Sequence, residues 1–115
     1  MDFKIPAERL GLDLDEYEEL IELFIETGGN DLKELEDALM NNNAQTVVER
    51  SHSLKGASGN LGLTQIYEKA KEIENMSRDN NLEGIESSVK EIKLCFKDII
   101  TGFESKVKKI KNALF

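Results

Sequence analysis

The segment Ser51-His52-Ser53-Leu54-Lys55-Gly56-Ala57-Ser58-Gly59-Asn60-Leu61-Gly62 holds the only histidine of a 115-residue chain. A neutral imidazole is a nucleophile near physiological pH, and its two nitrogens can play different roles. Lys55 stands one helical turn away. Its like charge disfavours a second positive charge on the ring, and its ammonium can neutralise an anion that the ring acquires. Each glycine costs about 1 kcal/mol relative to alanine inside a helix, so Gly56 and Gly59 require a reason.

A helical wheel supplies one. At about 100° per residue, Val47, Ser51, Leu54, Ser58 and Leu61 fall within roughly an 80° arc, the natural core face. His52 then lies roughly 140° from the centre of that arc, on the solvent side. Val48, Lys55, Gly56 and Gly59 share its outer surface, because positions three, four and seven apart stack along a helix. Missing side chains at the two glycines would leave a ring nitrogen open to a bulky partner, such as another protein's active site. Close helix packing is the competing use of glycine, and it fits less well because both residues face away from the inferred core.

Other chemistries lack their residues. The single cysteine, Cys95, excludes an internal disulfide, and no Cys/His cluster suits zinc. No phosphate-cradling loop with its lysine is present, "GGND" reads as a turn between helices, and "DLDEYEE" is an acidic helix start without a calcium-loop pattern. A net charge of −8 argues against nucleic acid. Lys106, Lys108, Lys109 and Lys111 suit the negative end of a helix dipole; a membrane-surface role for them is the lesser alternative. No apolar run approaches the roughly 20 residues that cross a bilayer, and "MDFKIPAERL" lacks a secretory signal, so a cytoplasmic protein without membrane insertion is expected.

The elements that must position His52 are all helical. One proline, eight glycines and no strand-length β-branched run define an all-α composition. A short helix is predicted over Pro6–Leu10, ended by Gly11. Asp13 and Glu16 resemble a capping arrangement for a helix over 14–26, with Leu14, Tyr17, Leu20, Ile21 and Phe24 as its stripe and Gly28-Gly29 as its stop. Asn30 is predicted to cap a helix over 31–41, ending in the turn Asn41-Asn42-Asn43. The His52 helix spans Ala44–Leu61, with Gly62 as a left-handed cap. Thr64 is read as the cap of the next helix, which frays at Asp79-Asn80-Asn81. From Leu82 onward Ile85, Val89, Ile92, Phe96, Ile99, Phe103, Val107, Ile110 and Leu114 recur in steps of three and four. This last helix would measure roughly 45–50 Å, and it must bend near Thr101-Gly102 or project. Short connections make consecutive helices antiparallel. The expected fold is an up-down antiparallel four-helix bundle with a short additional N-terminal helix and a long C-terminal helix, residues 1–115 forming one domain.

The motif "HSLKGASGNLG" resembles the signature of histidine phosphotransfer (HPt) domains of multistep phosphorelays, and the helices around it extend the likeness over most of the chain. The resemblance implies that His52 is phosphorylated, that Lys55 neutralises the phosphoryl group and that Gly56 gives access. It also places a ring-orienting Gln or Glu on the next helix, which the count along the chain brings to Glu74. A carboxylate accepting the Nδ1 proton would leave Nε2 as the attacking atom.

The same resemblance implies a carrier with no nucleotide or metal site of its own. Its partners would be receiver domains of response regulators or hybrid kinases, with Mg²⁺ on the receiver, and the chain would be a monomer. Val48 and Gly59, together with Ile5, Leu10 and Leu12 of the leading segment, are the expected receiver contacts; core packing explains the leucines equally well. A phosphoacceptor domain of a chemotaxis-type kinase and a non-phosphorylated helical adaptor are the alternatives.

Overall fold

The computed structural model describes the backbone of residues 1–114 and the side chains of residues 1–104. The described chain is helical: α1 (Lys4–Arg9), α2 (Leu14–Met40), α3 (Ala44–Asn60), α4 (Thr64–Arg78) and α5 (Ile85–Leu114). α1 begins two residues earlier than the sequence suggests, because the Asp2 carboxylate accepts the Lys4 N–H at 2.9 Å. Phe3 then packs on Tyr17 with ring centroids 6.1 Å apart, which anchors α1 to α2.

α2 departs most from expectation. Asp13 caps it as predicted, accepting the Glu16 N–H at 2.8 Å. The helix then runs through Gly28, Gly29 and Asn30, so neither the predicted stop nor the Asn30 cap exists, and "GGND" is helix interior. The reason lies across the core. Buried Tyr17, Ile21, Phe24, Gly28, Leu32, Leu35 and Ala38 form one unbroken stripe. Phe24 stacks on Phe96 of α5 at 5.1 Å, and a Cβ on Gly28 would meet Phe96 Cζ at 3.0 Å. Gly28 is therefore a packing residue, and the two predicted segments are one rod of the four-helix bundle. Leu14 and Leu20, assigned to the apolar stripe, stay exposed.

α3 is capped by Asn43, whose side chain accepts the Thr46 N–H at 3.2 Å, and it ends one residue before the predicted Leu61. Gly62 takes φ +71, and the Leu63 N–H reaches back to the Ser58 carbonyl at 2.9 Å, the left-handed closure expected there. Thr64 is the first residue of α4 rather than its cap; Leu63 occupies the cap position without a side-chain bond.

Two contacts fix the antiparallel register of α2 and α3. The buried Tyr17 hydroxyl donates to the Leu61 carbonyl at 2.7 Å, and Arg50 pairs with Asp31 at 3.1 Å. Lys69 pairs with Glu91 at 2.8 Å, doing the same for α4 and α5. Val47, Leu54, Ile66, Ile73, Ile85 and Ile92 fill the shared core. α5 continues through Thr101 and Gly102 without a break, and a Cβ on Gly102 would lie 2.8 Å from the Met1 carbonyl oxygen. The Lys106–Lys111 cluster and the Val107, Ile110 and Leu114 stripe lie outside the described side chains. Among the described residues, no helix is long and apolar enough to cross a membrane.

Candidate functional site

The inferred core face of α3 is the observed one: Val47, Ser51, Leu54, Ser58 and Leu61 are all buried. That rotation leaves the His52 side chain 64 % exposed on the outer surface. Ser53, the next residue, donates from Oγ to Asp31 Oδ2 at 2.7 Å, so α3 is held against α2 immediately beside the imidazole.

The ring is held on its other side by α4. His52 Nδ1 lies 2.9 Å from Glu74 Oε2 and 3.3 Å from Oε1, while the Lys55 ammonium donates to Oε1 at 3.0 Å. Only 4 % of the Glu74 side chain is exposed. Burial alone pushes such a carboxyl upward, but the hydrogen bonds from Lys55 and His52 and the Lys55 charge outweigh it, and Glu74 titrates below its ordinary value. An ionised carboxylate accepts only, so the Nδ1 it faces carries the proton, and in a neutral ring the lone pair then falls on Nε2.

The two glycines part company. Nothing lies within 4 Å of a Cβ built on Gly56, which leaves open space beside the ring. A Cβ on Gly59 would come within 3.1 Å of the Tyr67 ring, so Gly59 serves the α3–α4 contact, the packing use of glycine that the helical wheel disfavours. Gly59 remains exposed on its outer side, and Val48 is half-buried.

Of the leading-segment residues, Ile5 is exposed and Leu12 packs partly against the core. Leu10 lines a cleft of about 530 Å³ with Leu63, Ile66, Leu94 and Ile99. That cleft also touches Gln65, nine residues before Glu74, about 14 Å along α4 at 1.5 Å per residue. The structure does not bring Leu10 to the imidazole.

Three features escaped the sequence reading. Arg78 Nη2 stands 3.5 Å from Glu74 Oε1, one turn further along α4; spacing of four residues could have flagged it. The Asp31 and Arg50 pair joins helices far apart in sequence, which no local pattern reveals. Leu20 and Leu23 are exposed on α2. The register set by Tyr17 with Leu61 and Asp31 with Ser53 places them alongside the second half of α3.

An exposed imidazole with one nitrogen tied to a buried carboxylate, on the outer face of a helical bundle, presents an accessible nucleophile. The comparisons agree. A model of the Hpt domain matches residues 19–102, and the chain belongs to that family. Its fold is similar to the crystal structure of histidine-containing phosphotransfer protein B (HptB) from Pseudomonas aeruginosa PAO1. The TM-score is 0.80 at 25% sequence identity, over 95% of each chain. No curated protein matches by sequence. Histidine phosphotransfer is thus the role the family gives this protein, as a carrier that works with receiver domains in phosphorelays.

Proposed function

We propose that His52 takes a phosphoryl group from the aspartyl phosphate of one receiver domain and passes it to the aspartate of another. The observation that carries this reading is the asymmetry of the ring: Nδ1 is 2.9 Å from a buried carboxylate and the side chain is otherwise exposed. In the forward step the Nε2 lone pair attacks phosphorus, the N–P bond forms, and the acyl phosphate P–O bond breaks with its electron pair staying on the receiver aspartate. The Nδ1 proton is retained. The ring consequently gains positive charge, which Glu74 stabilises. Delivery is the same step reversed on a second aspartate.

Lys55 offsets charge on the transferred group, and Gly56 leaves room for the receiver to approach. Mg²⁺ would reside on the receiver, where it would neutralise charge developing on the transferred group. The receiver docks on the outer face of α3, meeting Val48, Gly59 and, from α2, exposed Leu20 and Leu23. Ile5 and Leu12 are further candidate contacts, while Leu10 lines the separate cleft. The chain acts as a cytoplasmic monomer.

The test is transfer of label from a phosphorylated receiver to the wild type and to His52→Gln. The wild type should be labelled at Nε2 and the variant should stay dark. Phosphorus on Nδ1 would overturn the orientation argument, and labelled His52→Gln would overturn the site. Incubation with a kinase catalytic domain in place of the receiver separates this reading from the chemotaxis-type one.

A further inference from the structure

Glu74 is a single buried carboxylate in contact with three groups. Oε2 faces the imidazole, while Oε1 is shared unequally by Lys55 at 3.0 Å and Arg78 at 3.5 Å. Strong charge-assisted N–H···O bonds settle near about 2.8 Å, so Arg78 stands short of full contact. Its side chain is 57 % exposed, against 25 % for Lys55, and it is free to advance or withdraw.

The transfer reaction upsets this arrangement. If Lys55 turns its ammonium to the phosphoryl group on Nε2, Oε1 loses its closer cation at 4 % exposure. A buried charge stripped of its partner is costly, and the ring now depends more than before on that same carboxylate. We infer that Arg78 is a positioning residue that closes onto Glu74 Oε1 when Lys55 leaves it, so that the carboxylate keeps a counter-charge in both states of His52. This rests on phosphorylation of His52 as proposed above. Arg78 acts through Glu74 and touches neither the ring nor the transferred group.

The experiment uses the whole chain and two donors: phosphoramidate, which gives its phosphoryl group to imidazole and releases ammonia, and a phosphorylated receiver. The readouts are the phosphotransfer equilibrium with the receiver and the lifetime of the phosphohistidine. Arg78→Ala should shift the equilibrium toward the receiver by about tenfold, the worth of one hydrogen bond to a charged group, and shorten the lifetime. Its melting midpoint without phosphate should stay near that of the wild type, since the resting contact is long and exposed. Arg78→Lys should restore most of the loss.

In a Glu74→Gln background the carboxylate is gone, and Arg78→Ala should add nothing. An unchanged equilibrium in Arg78→Ala would overturn the inference, as would a tenfold loss that persists in the Glu74→Gln background, since Arg78 would then act on the phosphoryl group directly. If the wild type takes no label from either donor, the phosphotransfer reading fails first, which separates the two failures.

Discussion

Adjacent glycines in the middle of α2 offer a test in which most unknowns cancel. Gly28→Ala and Gly29→Ala make the same chemical change at neighbouring helical positions, so both gain about 1 kcal/mol of helix propensity and restrict the unfolded chain alike. They differ in what the new methyl meets. At Gly29 nothing lies within 4 Å, whereas at Gly28 it would sit 3.0 Å from Phe96 Cζ and 3.2 Å from Phe24 Cε1. Those rings are buried and stacked at 20° to one another, so neither can retreat without disturbing the other. Overpacking of this kind costs about 1–3 kcal/mol.

Gly29→Ala should therefore stabilise the protein by about 1 kcal/mol. Gly28→Ala should range from neutral to about 2 kcal/mol destabilising once the propensity gain is subtracted. The measured quantity is the difference between the two variants in urea melts followed by far-UV circular dichroism, which isolates the packing cost. A Gly28→Ala protein at least as stable as Gly29→Ala would refute the packing explanation for the unbroken helix.

Three further outcomes are expected. Gly56→Leu should raise the melting midpoint, because the site is open and glycine is the poorer helix former, yet slow transfer from a receiver; transfer at the wild-type rate would deny Gly56 its access role. Lys55→Ala should keep the helical melt with a loss of about 1–2 kcal/mol, since one charge-assisted bond to Glu74 disappears, while transfer slows much more; unfolding would assign Lys55 a structural role instead. Glu74 titrates below its ordinary 4.5 in the folded protein, so the stability it contributes is fully present above that value and lost as pH falls through the lower, folded one. Wild type should accordingly lose stability more steeply than Glu74→Gln on acidification below pH 4.5, and parallel acid melts would contradict the ion pairing.

The face of α3 was legible because Val47, Ser51, Leu54, Ser58 and Leu61 obey a single period, and period is a local property. The same logic placed His52 outside and left Gly56 open. It failed at Gly28, where the reason for a glycine is Phe96, an aromatic on another helix, and at Gly59, where the reason is Tyr67. Local propensity reads a glycine as a stop; only packing shows that it can be a seat. Leu14 and Leu20 fit a helical stripe by spacing, yet the stripe that packs is the one through Tyr17, Ile21 and Phe24. Glu74 was reached through the family resemblance and not through pattern, since a carboxylate on an amphipathic helix looks like any solvated charge. Its burial is tolerated because three cationic or polar neighbours converge on it from two helices.

The serines buried in α3 and α4 give the bundle an unusual mechanical character. Ser51, Ser58 and Ser77 return their hydroxyls to carbonyls of their own helices, Val47, Leu54 and Ile73, at 2.7–2.8 Å. Each helix thereby settles its polar debts at home, and the seam between them is smooth. Among the described residues, the side-chain hydrogen bonds that cross from α3 to α4 all end on Glu74. Chemistry and alignment share one fastener. A charge arriving on the imidazole pulls directly on the setting of one helix against the other, and amide exchange along α4 should read the state of His52 from inside the bundle.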